Sequence, residues 1–301
     1  MTLQGTLRKP VRFEGIGLHS GKVVNLEVTP GNAGFGIKFQ RTDVDGAAVL
    51  DASVANITST ELSTSIGSGS NRISTIEHLM AAFAGLGIDN AMVRVSGPEM
   101  PILDGSSAIF VEKFLAVGVR RLKARRRQLI VKKAFEVRRG DKLVRVEPAS
   151  RTRFSCSIDF GSGVIGRQSF EYTPSHSAFI ELSEARTFCH LKEVNAMREA
   201  GLALGGSLEN AVVVTDSEIL NAEGLRSENE FVRHKLLDAI GDLALLGGEL
   251  VGKITLVKSG HGMHAEFMHQ LMQRHTEYLE ISDGRDESSV AVVADTISVF
   301  G

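Results

Sequence analysis

The chain has 301 residues, 43% of them hydrophobic, and a formal net charge of −2. That length suits two domains with buried cores, and the balanced charge excludes the global field of a nucleic-acid binder. No apolar run approaches the ~18 residues of a membrane span. Cys156 and Cys189 form neither a C-x-x-C pair nor a disulfide framework, which fits a reducing cytoplasm.

The opening MTLQGTLRKPVRFEG has no long apolar core, so no secretory signal is expected. The first ~70 residues alternate as strands, with turns expected at Gly15, Gly17, Gly21, Gly31 and Gly46. A helix is expected from about Ser74 to Leu86, ended by Gly85 and Gly87, with the strand NAMVRVS after it. SSAIFVEKFLAVGV, after Gly105, reads as a second helix. RRLKARRRQLIVKK, residues 120–133, holds eight Lys or Arg and no acid. We place a boundary there, near 124, between an N-terminal domain (1–124) and a C-terminal one (125–285), with a tail at 286–301. The basic stretch reads either as solvated interdomain chain or as a patch for phosphate or anionic membrane surface.

The second half restarts with a hairpin, FEVRRGDKLVRVEP, and a strand, RTRFSCSIDF. A helix over about 190–200 precedes the glycine-rich GLALGGS, and AVVV is a short strand. Another helix runs over about 228–246. KITLVKS is a strand, and HAEFMHQLMQRHTEYL is the last helix. HLMAAFAGLGIDNAMVRVSG and KLLDAIGDLALLGGELVGKITLVKSG share an order of helix, glycine break, strand and Ser-Gly. Both halves also open with strand–turn–strand. The fold class is therefore α+β, with two domains of similar topology, each a β-sheet layered with helices.

Within FVRHKLLDAIGD, residues 231–242, His234, Asp238 and Asp242 are each four apart and fall on one helix face, at about 0°, 40° and 80°, with Lys235 near 100°. Apolar residues occupy nearly all the rest of the circumference, and Leu245 lands at about 20°. A continuous solvated face is absent, so the carboxylates need partners or a metal. A His–Asp hydrogen bond on a core helix is one reading, and a shared cation is the other. STIEHLMAAFAGLG offers Glu77 and His78 on a helix otherwise free of ionisable groups. Ser74-x-x-Glu77 also fits a capping box, and His78 also fits a satisfied core histidine. Taken together, the two helices supply three zinc ligands and a carboxylate base, leaving a fourth position for water. KSGHGMH follows a strand, where the loop histidines His261 and His264 are both placed to act as an imidazolium acid, with Asp242 as its carboxylate.

The motifs IEHLMAAFAGLGIDN, PILDGSS, EARTF, EFVRHKLLDAIGD and KSGH, in this order, resemble the zinc-dependent UDP-3-O-acyl-N-acetylglucosamine deacetylases of Gram-negative lipid A biosynthesis. The resemblance spans nearly the whole chain. It implies two sheet-and-helix domains with the active site between them. It implies His78, His234 and Asp238 as ligands of Zn2+, for which Fe2+ is an alternative. It further implies Glu77 as general base, His261 as general acid and Asp242 as the group orienting it. Thr187 would bind the oxyanion, Lys235 and Phe188 the substrate, and Lys258 the diphosphate. His19 in GLHSGK and Asp104 in PILDGSS belong to shared motifs, with His19 a substrate contact, and Phe160 would pack near uracil. An insert at about 190–214 would line an acyl passage with Leu191, Val194, Leu202, Ala203 and Val213, residues that equally suit ordinary core. Ser63 stands where some relatives carry a cysteine, so no second, inhibitory thiolate-bridged metal is expected there. Cys189 and His190 could ligate metal only adventitiously. The resemblance implies a cytoplasmic monomer acting on an acylated UDP-sugar, with no nucleic acid and at most weak peripheral membrane contact. The alternatives are a zinc amidase with another acylated substrate, or a non-enzymatic module binding anionic ligands through 120–133.

Overall fold

The computed structural model describes residues 3–282; the expected tail and the last three residues of the second expected domain lie outside the described residues. Seven α-helices occur among the described residues: α1 (Glu77–Leu86), α2 (Ala108–Val117), α3 (His176–Ser183), α4 (Leu191–Glu199), α5 (Glu230–Leu243), α6 (His261–Gln273) and α7 (His275–Tyr278).

The strands form for the reason their alternation implies. In Val11–Ile16, Val11 and Phe13 are buried while Arg12 and Glu14 are exposed. In Val23–Pro30, Val24, Leu26 and Val28 point inward. A period of two places every second side chain on one face, and that face meets the core.

The N-terminal sheet has the order Val11–Ile16, Val23–Pro30, Ala91–Val95, Ile37–Arg41, Leu50–Asp51. The C-terminal sheet has the order Phe135–Arg139, Lys142–Glu147, Lys253–Val257, Arg153–Asp159, Arg167–Tyr172. Numbered by appearance within each half, both run 1-2-5-3-4. In both, the central last-arriving strand is parallel to the third and antiparallel to the second. The helix before that central strand is α1 in one half and α5 in the other. The echo in the sequence is therefore a repeat of topology, and the fold is α+β.

Helices α1 and α5 make the most extensive helix–helix contact among the described residues. Small residues permit it: Ala81, Ala82 and Ala239 are fully buried, and a Cβ added at Gly241 would sit 2.0 Å from the Glu77 carbonyl oxygen. This crossing carries the histidines and carboxylates of both helices into one region.

Several expectations need correction. α1 starts at Glu77, and Ser74–Glu77 is not a capping box. Thr75 takes φ 59°, which turns the chain before the helix. Ser74 Oγ instead donates to Pro98 O, and the Glu77 carboxylate accepts from the Thr64 backbone N–H. Gly15 lies within a strand rather than a turn. His261 is the first residue of α6, not a loop residue. The basic stretch forms paired strands rather than linker, although Arg120, Arg121, Lys123, Arg125, Lys132 and Lys133 are exposed to solvent. Val119–Arg125 pairs with Leu3–Leu7, and Gln128–Val131 pairs with Glu249–Val251 and Leu279–Ser282. Arg121 donates to the Gly87 carbonyl at the end of α1, and Arg126 pairs with Asp89 at 2.8 Å. Cations there complement a helix C-terminus. Strands Arg167–Tyr172 and Leu279–Ser282 and helix α3 were not anticipated.

Candidate metal and acid–base centre

The α5 stripe is wholly inside the protein: His234, Asp238 and Asp242 are each 3% exposed or less. His78 from the first turn of α1 joins them. Asp238 Oδ1 lies 3.2 Å from His234 Nε2 and 3.5 Å from His78 Nε2. One ligand atom from each of these three residues falls within a 4.8 Å group. His234 Nδ1 is 3.0 Å from the Ala185 carbonyl, so Nδ1 carries the proton and Nε2 presents a lone pair. Burial pushes the His234 pKa down to about 3, which keeps the ring neutral. Burial alone would raise Asp238, but the neighbouring imidazoles and the Lys235 ammonium bonded to Oδ2 favour its ionised form and hold it well below the usual carboxylate range.

Asp238 Oδ1 is buried and has no hydrogen-bond partner, while Oδ2 accepts from Lys235 Nζ at 2.9 Å. An unpartnered carboxylate oxygen beside two imidazole nitrogens is costly unless a cation completes it. Two nitrogens and one oxygen suit a first-row divalent ion. The residues fit the group.

Glu77 stands beside this cluster, 3% exposed. Thr64 N–H donates to its Oε2 at 3.0 Å, leaving Oε1 4.0 Å from His261 Nε2. Burial raises the Glu77 pKa, against the charge of His261. Asp242 Oδ2 lies 2.8 Å from His261 Nδ1 and 2.7 Å from His264 Nδ1, and Thr64 Oγ1 donates to Oδ1 at 2.6 Å. Burial would lower His261, yet the Asp242 charge and hydrogen bond outweigh it and lift the pKa to about 9. Asp242 is held below its ordinary value by the same partners, against its own desolvation.

Of the other expected residues, Lys235 and Phe188 border the cluster. The Lys235 ammonium lies 5.5 Å from the Phe188 ring centre, and that ring is 6.2 Å from His234. Asp238 raises the Lys235 pKa despite burial. The exposed Phe160 ring packs edge-on against Phe188 at 5.6 Å, extending an aromatic line outward. Thr187 follows the Ala185 carbonyl by two residues, and its backbone is tied to Gly105 and Val212. Lys258 is not in the cluster; Asp141 and Asp159 hold its ammonium at 2.9 and 2.8 Å, beside a cleft of about 380 Å³. Asp104 pairs with Arg226 at 2.8 Å.

His19 is also outside the cluster. Its backbone N–H binds Glu99, its carbonyl accepts from Leu204 N–H, and both ring nitrogens are buried without partners. The insert is a strand–helix–strand unit, Phe188–His190 parallel to Val212–Val214 with α4 between. Ala203 and Val213 are buried, Val194 and Leu202 half-buried and Leu191 exposed. Cys189 and His190 join no metal-type cluster among the described residues, and burial raises the Cys189 pKa. Ser63 is buried.

Sequence reasoning missed two groups. Thr64 binds both Glu77 and Asp242, and its only sequence signal was adjacency to Ser63. Arg186 and Glu230 form a buried pair at 2.8 Å that anchors EARTF to the start of α5, and no residue spacing signalled it.

A family model described as UDP-3-O-acyl N-acetylglycosamine deacetylase (LpxC) matches residues 4–273. Relatives named UDP-3-O-acyl-N-acetylglucosamine deacetylase are similar over nearly their full lengths. That of Geobacter sp. (strain M21) is 45% identical over 275 residues, covering 91% of this chain and 90% of its own. That of Geotalea uraniireducens (strain Rf4) is 47% identical over 275 residues, with the same coverage. That of Acidithiobacillus ferrooxidans (strain ATCC 53993 / BNL-5-31) is 43% identical over 300 residues, covering 99% of this chain and 98% of its own. The chain belongs to the UDP-3-O-acyl N-acetylglycosamine deacetylase family.

Proposed function

We propose that the protein hydrolyses the 2-acetamido group of UDP-3-O-(3-hydroxyacyl)-N-acetylglucosamine, releasing acetate and the free amine in lipid A biosynthesis. The observation that carries this reading is one buried carboxylate, Glu77, and one carboxylate-paired histidine, His261, flanking a three-donor cluster. His78, His234 and Asp238 would hold the ion, with Zn2+ the proposed occupant and Fe2+ fitting the same donors. When bound, that ion supplies Lewis acidity toward the amide carbonyl and acidifies water.

The chain's own residues supply the proton transfers. Glu77 Oε1 takes a proton from the attacking water, because Oε2 is already engaged by Thr64. The water oxygen bonds to the amide carbon. Thr187 would donate to the oxyanion that develops. His261, held as imidazolium by Asp242, gives its Nε2 proton to the amide nitrogen as the C–N bond breaks. Amines leave poorly unless protonated, so acid and base are both required. Lys235, Phe188 and, farther out, Phe160 and Lys258 would orient the nucleotide sugar. The insert would receive the acyl chain along Leu191, Val194, Leu202, Ala203 and Val213, and His19 would border it. We also propose a division into domains near 124 and a cytoplasmic monomer; no helix among the described residues is long and apolar enough to cross a membrane.

Metal quantitation together with acetate release from the acylated nucleotide sugar tests the reading. About one ion per chain and release strictly dependent on the 3-O-acyl group are expected. Equal turnover of the unacylated nucleotide sugar would point to a broader amidase, and a metal-free, inactive protein would sink the proposal.

A further inference from the structure

Asp242 holds more than His261. A carboxylate only accepts hydrogen bonds, so both imidazoles meeting its Oδ2 must present Nδ1–H. His261 does so from the first turn of α6 at 2.8 Å, and His264 from the next turn at 2.7 Å. Thr64 Oγ1 occupies Oδ1 at 2.6 Å. On its far side, His264 Nε2 meets Ser259 Oγ at 3.0 Å, so both ring nitrogens have a partner. His264 and Asp242 are each 1% exposed, so neither exchanges these partners for water. The charged and titratable groups facing His261 are Glu77 from α1, Asp242 and, farther off, Asp238 from α5, and His264 on its own helix. The segment before α1 contributes the Thr64 hydroxyl.

We infer that His264 is a positioning residue: by sharing Asp242 Oδ2 with His261, it fixes that carboxylate between α5 and α6 and limits how strongly the carboxylate draws the His261 proton. The inference rests on the acid role proposed for His261. A carboxylate with two strong donors on one oxygen is a weaker base than a carboxylate with one. Without His264, Asp242 would pull harder on His261 and hold the acid too tightly to release its proton quickly.

The experiment compares wild type, His264→Leu and His264→Asn by histidine ring NMR titration, with and without zinc, and by the pH dependence of kcat/KM. Nδ1 branches from Cγ, so an asparagine amide nitrogen can take its place as donor. In His264→Leu, losing one charge-assisted bond should raise the His261 acidity constant's pKa by about one, a tenfold change, and carry the alkaline limb with it. His264→Asn should restore both to within about threefold. A folded His264→Leu protein whose His261 titration is unmoved or lowered would overturn the inference. Should His264→Leu not fold, the wild-type ring decides: a protonated Nδ1 in a strong hydrogen bond supports it, and a bare Nδ1 refutes it. The NMR readout needs no substrate. A shifted His261 in a protein without deacetylase activity would therefore defeat the proposed function while the coupling of His264 to His261 through Asp242 still held.

Discussion

Replacing Asp242 by Asn tests the acid half of the centre most directly. The side chain keeps its shape but loses its charge, and one of its two acceptor oxygens becomes a donor facing a ring nitrogen. In the wild type, Asp242 lifts His261 from 6.5 to about 9 against a desolvation that pushes the other way. That interval corresponds to about 3 kcal/mol of preferential interaction with the protonated ring. The raised pKa fixes the sign. Its stabilisation is fully present below about pH 6.5 and disappears as pH rises through about 9. Asp242→Asn should therefore destabilise the metal-free protein most near pH 6 and least above pH 9, read by thermal unfolding across that range. Burial then works against only the more distant Glu77 and Asp238, and His261 is expected to fall back to about its ordinary value. At pH 7.5 the protonated fraction should fall from above about 95% to about 10% or less. The alkaline limb of kcat/KM should move down by at least about one pH unit, with at least a tenfold loss of rate at pH 7.5. An Asp242→Asn enzyme whose alkaline limb stays in place would refute the claim that Asp242 keeps the acid charged.

Glu77→Gln should cut kcat by about 10²–10⁴ and remove the acid-side limb, since the base works only when ionised and burial raises its pKa. Elemental analysis should find its metal retained. Asp238→Asn should lose metal, because Oδ1 is the oxygen nearest both histidine nitrogens; retention of wild-type metal content would exclude it as a ligand. Gly241→Ala should destabilise by about 1–3 kcal/mol in thermal unfolding despite alanine's better helix propensity, as the new Cβ meets a backbone carbonyl at 2.0 Å. Thr64→Val keeps the shape and removes the donor to Asp242 Oδ1, so unfolding should show a loss of about 1.5–3 kcal/mol.

What could be read in advance follows physical lines. Periodicity of polar residues on an apolar helix revealed the α5 stripe, because burial of charge is improbable without partners. The repeat of helix, glycine break and strand anticipated two sheets of matching order. Glu77 was ambiguous because its spacing from Ser74 is that of a capping box. Only the φ of 59° at Thr75, invisible in residue spacing, releases the carboxylate for other use. Thr64 was unreadable for a related reason: a threonine gains meaning from the groups around it, here Glu77 and Asp242, which are 13 and 178 positions away. Arg167–Tyr172 is an edge strand with exposed alternating residues, RQSFEY, and carries little hydrophobic signal. The basic stretch is solvated as its charge implies, but its strand pairing was hidden because the partners, Leu3–Leu7, Glu249–Val251 and Leu279–Ser282, are distant in the chain.

The matched topology of the two halves explains why the centre forms where it does. In each half the helix before the central strand holds the same place in the chain order, so α1 and α5 are equivalent elements, and they pack face to face. Their crossing is close because small residues line it, Gly241 lying directly against the Glu77 backbone. That contact places the first turn of α1, with Glu77 and His78, beside the stripe of α5. Divergence within the repeat then assigns the chemistry. Under the proposed function, α1 would contribute one nitrogen ligand and the carboxylate of the base, and α5 a nitrogen, an oxygen and the carboxylate that holds His261. Neither half holds three donors of the cluster, so the ion would bind only when the halves are docked. Metal affinity is in this way coupled to the α1–α5 interface, and a substitution that loosens Gly241 should weaken metal binding without touching a ligand.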